Sequence, residues 1–328
     1  MSVIINQNNL TFEINKKDYT AKIIKSDKDG SEIFIPKSID YLSSKYIITR
    51  IENSAFSGNN NIRNISFAPN SEIQSFGRES FAYSSIESIS IPKSVKTIEH
   101  LAFYNCRKLK TIDIPENSEL ISFGCNPFGS TLIEKIYIPQ NVTKINQSLL
   151  KGFSTLKSIA ISPKNKKFTH YNDFVIGKSS FLYDQLVFVP PNCRKIEIPS
   201  FIKEINSFSV SNCPNLESVI FESDSKLCQI GEDFLKGSLV KCISVPKQIK
   251  IFRVIEYEEL NFVEYLADEF QTDFSVYKEC NVVISLPNCK KIHVEIATDA
   301  DITILIHPYA NVTWSDISGD VLFSGFEF

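Results

Sequence analysis

The sequence predicts a repeat solenoid built mainly of β-structure, an array of 23- and 24-residue coils joined through parallel β-sheet, with few or no long helices. One observation is periodicity: Ile89-Ser90-Ile91-Pro92 returns 23 residues later as Ile112-Asp113-Ile114-Pro115. Another is that each copy alternates apolar with polar residues and then meets proline or a turn, as a short half-buried strand does. The first apolar residue of each copy falls at Ile33, Ile65, Ile89, Ile112, Ile136, Ile159, Ile196, Val219 and Ile243, in steps of 32, 24, 23, 24, 23, 37, 23 and 24. A unit this short cannot bury its apolar face alone, so it must stack on its neighbours.

A stacked array needs a cap at each end. Residues 1–35 form the expected N-terminal cap, with strands around Phe12-Glu13-Ile14 and Tyr19 to Ile24 and a turn at Asp27-Lys28-Asp29-Gly30. The solenoid then covers residues 33–250. Its coils come in two forms, IPKSVKTI (91–98) and the longer IPENSELISF (114–123), so Ile65, Ile112 and Ile159 are 47 residues apart, as are Ile89 and Ile136. The two long steps are read as strand-rich inserts, one at 44–51 and one at 167–189, the second turning at Gly177-Lys178-Ser179-Ser180.

Inside the coils, Phe56, Phe81, Phe103, Phe128 and Leu150 are expected to stack, and Val95 and Ile98 to belong to a second short strand. After residue 250 the repeat fades. Leu260, Val263, Leu266 and Phe270 sit near helical spacing within 256–270, which suggests a short helix. The runs VVISL, IHVEI, ITILI, NVTW and VLF then recur at intervals of roughly ten residues, so 251–328 reads as a divergent C-terminal β cap carrying Trp314 and Tyr309.

If the Ile anchors point inward, the residues between them point outward. That rule selects Asn64, Ser66, Ser88, Ser90, Thr111, Asp113, Lys135, Tyr137, Ser158, Lys195, Glu197 and Ser218 as the candidate partner-binding face. The surface is small and polar with a charged and aromatic patch at its middle.

Composition narrows the function. With 43% apolar residues and 25 Phe among 328 residues the chain has material for a core. A net charge of -3 with no long Lys/Arg block argues against a nucleic-acid partner. The N-terminus lacks the basic and apolar regions of a secretory signal, and no run reaches the roughly 18–20 apolar residues of a membrane span, so the chain reads as soluble. No CxxC pair, phosphate loop, Gly-x-Ser-x-Gly elbow or His-Glu-x-x-His motif occurs, and the equivalents of Asp113 in the adjacent coils are Ser90 and Tyr137, so no carboxylate ladder forms. No catalytic residue, metal or cofactor is expected. The 8 cysteines are read as free thiols, with Cys106 and Cys213 at equivalent buried places in AFYNCRKL and SVSNCPNL.

The repeats, the opening FEINKKDYTAKIIKS…KYIITRIENSAF and the insert KFTHYNDFVIG…LVFVPPNCRKIEIP resemble the BspA-like leucine-rich-repeat proteins over about residues 10–250. The family occurs as surface antigens of bacteria and protozoa. The resemblance implies a non-enzymatic protein-binding scaffold of surface-antigen or adhesion type. Without a signal peptide, the alternative is an intracellular leucine-rich-repeat scaffold for protein–protein interaction.

Overall fold

The computed structural model describes residues 2–27, 30–222, 224–231 and 233–246, and the backbone of seven strands between Phe262 and Gly325. Contacts divide the chain into two compact units, Met1–Val175 and Ile176–Phe328. Each is a parallel β-solenoid.

The first unit opens with strands Ser2–Gln7, Leu10–Asn15 and Thr20–Ser26, paired antiparallel. From there pairing becomes parallel. Thr20–Ser26 accepts Ser44–Ile51, which starts a ladder of two-residue strands, Ser75–Phe76, Thr97–Ile98, Ser122–Phe123 and Lys144–Ile145. On another side of the coils lie Glu32–Ile35, Asn64–Phe67, Ser88–Ser90 and Thr111–Asp113, aligned as Ile33, Ile65, Ile89 and Ile112. These anchors are buried, as the alternation required.

Proline explains how one side of the coil passes to the next. The carbonyls of Pro92, Pro115 and Pro139 each accept the backbone N–H three residues on, from Val95, Ser118 and Val142, at 3.0, 3.0 and 3.3 Å. The ring fixes φ and removes the donor that would have extended the ladder, so the strand ends and a tight turn begins.

Phenylalanine fills the centre. Phe56, Phe81, Phe103 and Phe128 lie ring on ring at successive centroid separations of 5.1, 4.8 and 5.7 Å. Those spacings are close to the 4.7–4.9 Å between paired strands, so one ring per coil continues the stack without gaps. Phe76 meets Phe81 and Phe103 edge-on. The stack was expected to run on to Leu150, and Leu150 is buried; Phe153 also meets Phe128, tilted at 6.3 Å. Here the coil makes a 3-10 turn, Gln147–Leu150, capped where Asn146 Oδ1 accepts the Ser148 N–H at 2.9 Å. Leu150 keeps the central place of its coil, two residues before the left-handed Gly152 as Phe128 is before Ser130, and Phe153 adds a ring beside it.

The corner two residues after each central side chain, Phe56, Phe81, Phe103, Phe128 and Leu150, uses a left-handed residue: Gly58, Tyr83, Asn105, Ser130 and Gly152 have φ of 67, 60, 58, 60 and 76°. Their N–H groups donate to the next coil, Gly58 to Ala82, Tyr83 to Tyr104, Asn105 to Gly129 and Ser130 to Gly152, all within 2.9 Å. For a non-glycine residue this conformation costs about 1–2 kcal/mol. The hydrogen bond it aligns and the packed ring two residues before it hold it there.

In the second unit, Lys195–Ile198, Ser218–Phe221 and Cys242–Val245 pair in parallel with Ile196, Val219 and Ile243 aligned. Tyr183–Phe188, Glu204–Ile205 and Gln229–Ile230 form a second ladder. The hairpin turn differs from expectation: the strand Phe174–Lys178 runs through Gly177 and Lys178, and the turn falls on 179–182, where Asp184 Oδ1 accepts the Ser179 N–H at 3.0 Å.

The expected helix over 256–270 is a correction. Phe262–Tyr265 and Glu269–Val276 are strands, and the remaining residues of that segment lie outside the described ones. Their partners decide it: Phe262–Tyr265 aligns with Cys242–Val245 and extends an existing parallel ladder, which a helix would leave unpaired. Val282–Leu286, Ile302–Ile306 and Val321–Gly325 follow in the same sheet, while Glu269–Val276, Lys291–Thr298 and Asn311–Ser318, the strand holding Trp314, form another. The ten-residue interval seen in the sequence is thus half a coil, since each coil gives one strand to each sheet. Tyr309 lies outside the described residues.

Phe103→Ala should cost about 3–5 kcal/mol, because it opens a hole between two stacked rings, whereas Ser90→Ala on the exposed side should stay within about 0.5 kcal/mol of the parent. Urea unfolding of the two variants checks this; equal shifts in midpoint would mean that inside and outside are reversed.

Candidate binding face

Alternation along the parallel strands generates rows of exposed side chains in register across coils. In the first unit one row is Glu32, Asn64, Ser88 and Thr111, and the next is Phe34, Ser66, Ser90 and Asp113. A separate pair of strands, Lys135–Ile138 and Ser158–Ile161, brings Lys135 beside Ser158 and Tyr137 beside Ala160. The other three predicted residues belong to the second unit, where Lys195 aligns with Ser218 and Glu197 with Ile220. The face is therefore described as two patches. Phe34, 58% exposed, joins the first patch. The same alternation would have found it in Glu32-Ile33-Phe34-Ile35.

The first patch is not continuous. The four-stranded sheet ends at Thr111–Asp113, and the next coil pairs onward with Ser158–Ile161 instead of back. The backbone shows the slip. Glu87 N–H donates to Arg63 O at 2.8 Å and Lys110 N–H to Glu87 O at 3.0 Å, but the next such bond is from Leu132 to Leu109, and the column resumes at Lys157 to Glu134. The splayed strands leave a cleft of about 1060 Å³. Ile112, Ile114, Ala160 and Pro163 give it an apolar lining, Tyr137 stands half-buried in it, and Leu132, 38% exposed, is at the rim. Lys110, Asp113, Glu116, Glu134 and Lys135 supply its charges. A smaller groove of about 640 Å³ runs over Ser66 and Ser90 to Pro92.

The residue before each exposed strand carries a pattern that sequence reasoning overlooked. Arg63, Glu87, Lys110, Glu134 and Lys157 alternate in sign, as do Arg194, Glu217 and Lys241. Arg63 pairs with Glu87 at 3.0 Å and Lys157 with Glu134 at 2.8 Å. Exposed pairs of this kind contribute only about 0–1 kcal/mol each, and of these four side chains Glu134 lines the cleft. The signal was present: coils of alternating length also alternate in charge.

The opposite ladder carries a different ionic cluster. Arg50 meets Glu52 at 3.2 Å, Glu99 at 2.8 Å and Ser75 Oγ at 2.6 Å, and Lys22 meets Glu52 at 3.1 Å. Burial alone would push the Glu52 carboxyl upward, but Lys22 and Arg50 outweigh it and hold the group below its ordinary range. The guanidinium behaves likewise: burial opposes its charge, yet Glu99 and Glu52 raise its pKa. These contacts cross from coil to coil and are structural. Among the described residues no group of His, Cys, Asp and Glu side chains is placed to hold a metal ion, and no helix is long and apolar enough to cross a membrane.

Short coils, parallel ladders on separate sides and one buried ring per coil define a leucine-rich-repeat solenoid. The chain belongs to the BspA-type leucine-rich-repeat family, whose region model matches 6 copies over residues 28–157, 74–186 and 184–258. Among solved structures it is similar to the pneumococcal vaccine antigen PcpA, at 18% identity and TM-score 0.73, with 98% of each chain covered. A leucine-rich cell surface protein of Faecalibacterium prausnitzii matches at 15% identity and TM-score 0.63, over 99% of this chain and 95% of that one. A leucine-rich repeat protein of Eubacterium ventriosum matches at 18% and 0.64, over 94% and 88%. At such identities the likeness is one of fold. Comparison with curated proteins finds none that matches.

Six cysteines among the described residues are free thiols. Cys106 is buried and its Sγ donates to Phe81 O at 3.0 Å; burial, against the opposing contact with Ser84, pushes the thiol up to about 11. Burial likewise pushes Cys213 up to about 12, with Ser238 opposing and Cys193 adding. An unfolded thiol titrates near 8.5, so their contribution to stability is intact below that value and is lost as pH rises toward the folded values. Unfolding free energy should therefore fall above about pH 9, less steeply in Cys106→Ala. At about pH 8, iodoacetamide should label exposed Cys228 in the native protein and reach Cys106 and Cys213 only on unfolding; mass spectrometry showing early label on Cys106 would contradict this burial.

Proposed function

We propose that the protein is a non-enzymatic protein-binding scaffold of the surface-antigen type, and that its exposed sheet rows are the binding surface. The observation that carries the reading is the cleft between Thr111–Asp113 and Lys135–Ile138, where Tyr137 and an apolar lining are ringed by charge. A half-buried aromatic at the centre of a polar rim is the arrangement that supplies most binding energy in protein interfaces. Lys195 and Glu197 of the second unit add an exposed charged row of the same kind. The surface placement draws on the family and on neighbours described as a vaccine antigen and a cell surface protein.

One observation favours the intracellular scaffold instead: Cys228 is an exposed free thiol, which suits a reducing compartment better than an oxidising one. Protease treatment of intact cells separates the readings. Selective loss of the native protein from intact cells supports display, and protection until permeabilisation supports the intracellular scaffold.

The binding face has its own test. Lys135→Glu, Tyr137→Ser, Lys195→Glu and Glu197→Lys together should weaken capture of a partner recovered by cross-linking at least tenfold, about 1.4 kcal/mol, with an unchanged unfolding midpoint. Full capture by the folded fourfold variant would remove this face from consideration.

A further inference from the structure

We propose that the cleft takes an extended segment of a partner protein in which an acidic, an apolar and a basic residue occupy alternate positions. The proposal rests on the binding reading above and names its ligand. It begins from the charge ladder at the cleft edge. Glu87 and Glu134, the two acids flanking Lys110 in that ladder, are held by Arg63 at 3.0 Å and by Lys157 at 2.8 Å. Lys110 is the cation left over, and Lys135 of the next coil lines the same cleft; neither makes an ion pair among the described residues. Two exposed ammonium groups lining an apolar cleft are complementary to a carboxylate.

The cleft also carries the opposite sign. Asp113 and Glu116 line the cleft further along the same coil, and they too make no ion pair among the described residues. Tyr137 also lines the cleft, two residues beyond Lys135 on one strand, and holds in its coil the place that Asp113 holds in the coil before. The cleft thus runs along the strand direction from basic through apolar to acidic. An extended peptide rises by the same roughly 3.3 Å per residue as the strands beside it and points every second side chain the same way. Lys135 and Tyr137 are therefore about 6.6 Å apart along the axis, the repeat distance between same-facing side chains of the ligand. A carboxylate over Lys110 and Lys135 puts the next same-facing side chain at Tyr137, beside Asp113, and the one after it toward Glu116. Nucleic acid fits poorly, because the acidic end would face phosphate.

The test is a thermodynamic cycle on the full chain. Fluorescein-labelled Gly-Asp-Ser-Phe-Ser-Lys-Gly and its counterpart with Asn for Asp are titrated, by fluorescence polarisation, against the parent protein and the Lys110→Glu, Lys135→Glu double variant. Both substituted residues are exposed, and an unfolding curve verifies that the variant folds. The expected result is that Asn for Asp weakens binding about tenfold to the parent and less than twofold to the variant, a coupling that identifies the carboxylate's partners. Binding of the Asp peptide to the parent should also weaken between about 0.05 and 0.5 M salt. Equal losses in both proteins, or no saturable binding by the parent, would overturn the proposal. If the fourfold face variant still loses its partner in that case, the binding face stands and only this ligand class falls.

Discussion

Stacking at a fixed height sets the terms for everything else in this molecule. A ring such as Phe103 is buried only because Phe81 and Phe128 lie above and below it, at 4.8 and 5.7 Å. No coil owns its core. Each must therefore return its chain to the same axial position, within a fraction of the strand spacing, whatever its sequence in between. The two coil forms are two solutions to that demand. The longer form reaches its second strand at Phe76 or Phe123, the shorter at Ile98, yet Ile98 pairs in register with both. The extra residues are absorbed in the passage from proline and recovered at the corner.

Glycine shows how tight the return is. Gly77 and Gly124 each follow the second strand of a long coil, and Gly124 N–H donates to Ile98 O of the coil before at 2.8 Å. A Cβ on Gly124 would sit 2.6 Å from the backbone of Glu99 and His100. The corresponding residue of the short coil between them is Glu99, whose carboxylate engages Arg50. Long and short coils thus divide the tasks: one gives close backbone approach, the other gives a charged side chain that ties coils together. The left-handed corners at Tyr83 and Ser130 follow the same logic, with unfavourable local conformations held because the inter-coil hydrogen bonds need them.

The parts of this architecture that repeat were legible in the sequence, because repetition makes a weak local signal strong. One Ile-x-Ile-Pro is only a short strand; nine anchors, at steps of 23 or 24 but for two inserts, fix which residues face inward, and Ile33, Ile65, Ile89 and Ile112 align accordingly. Parts depending on a neighbour were harder to read. Residues 256–270 have helical spacing by themselves, and only the open edge of Cys242–Val245 makes Phe262–Tyr265 a strand. Half-coil strands ten residues apart look like a simple meander until parallel pairing is known. On the candidate face, alternation selected Tyr137 and Lys135 but said nothing of the break that turns the surface beside them into a cleft. That break is a slip in backbone pairing, and pairing is not written in the polarity pattern.

A strict repeat makes every coil face alike, so it offers a partner many equivalent places and no preferred one. Specificity has to come from where the equivalence fails. In the first unit, Ser66 and Ser90 are interchangeable, and a ligand could slide along that row at little cost. Tyr137 has Asp113 at the equivalent place in the coil before and Ala160 in the coil after, and the sheet splits beside it. The charge ladder differs there too, since its two glutamates already have partners and Lys110 between them does not. Hydrogen bonds and stacked rings elsewhere can tolerate one splayed pair of strands because each coil is also held along its other ladder, which continues unbroken through Thr97–Ile98, Ser122–Phe123 and Lys144–Ile145. The redundancy of the repeat is what permits a local departure from it, and the departure provides the shape and charge that the regular coils lack.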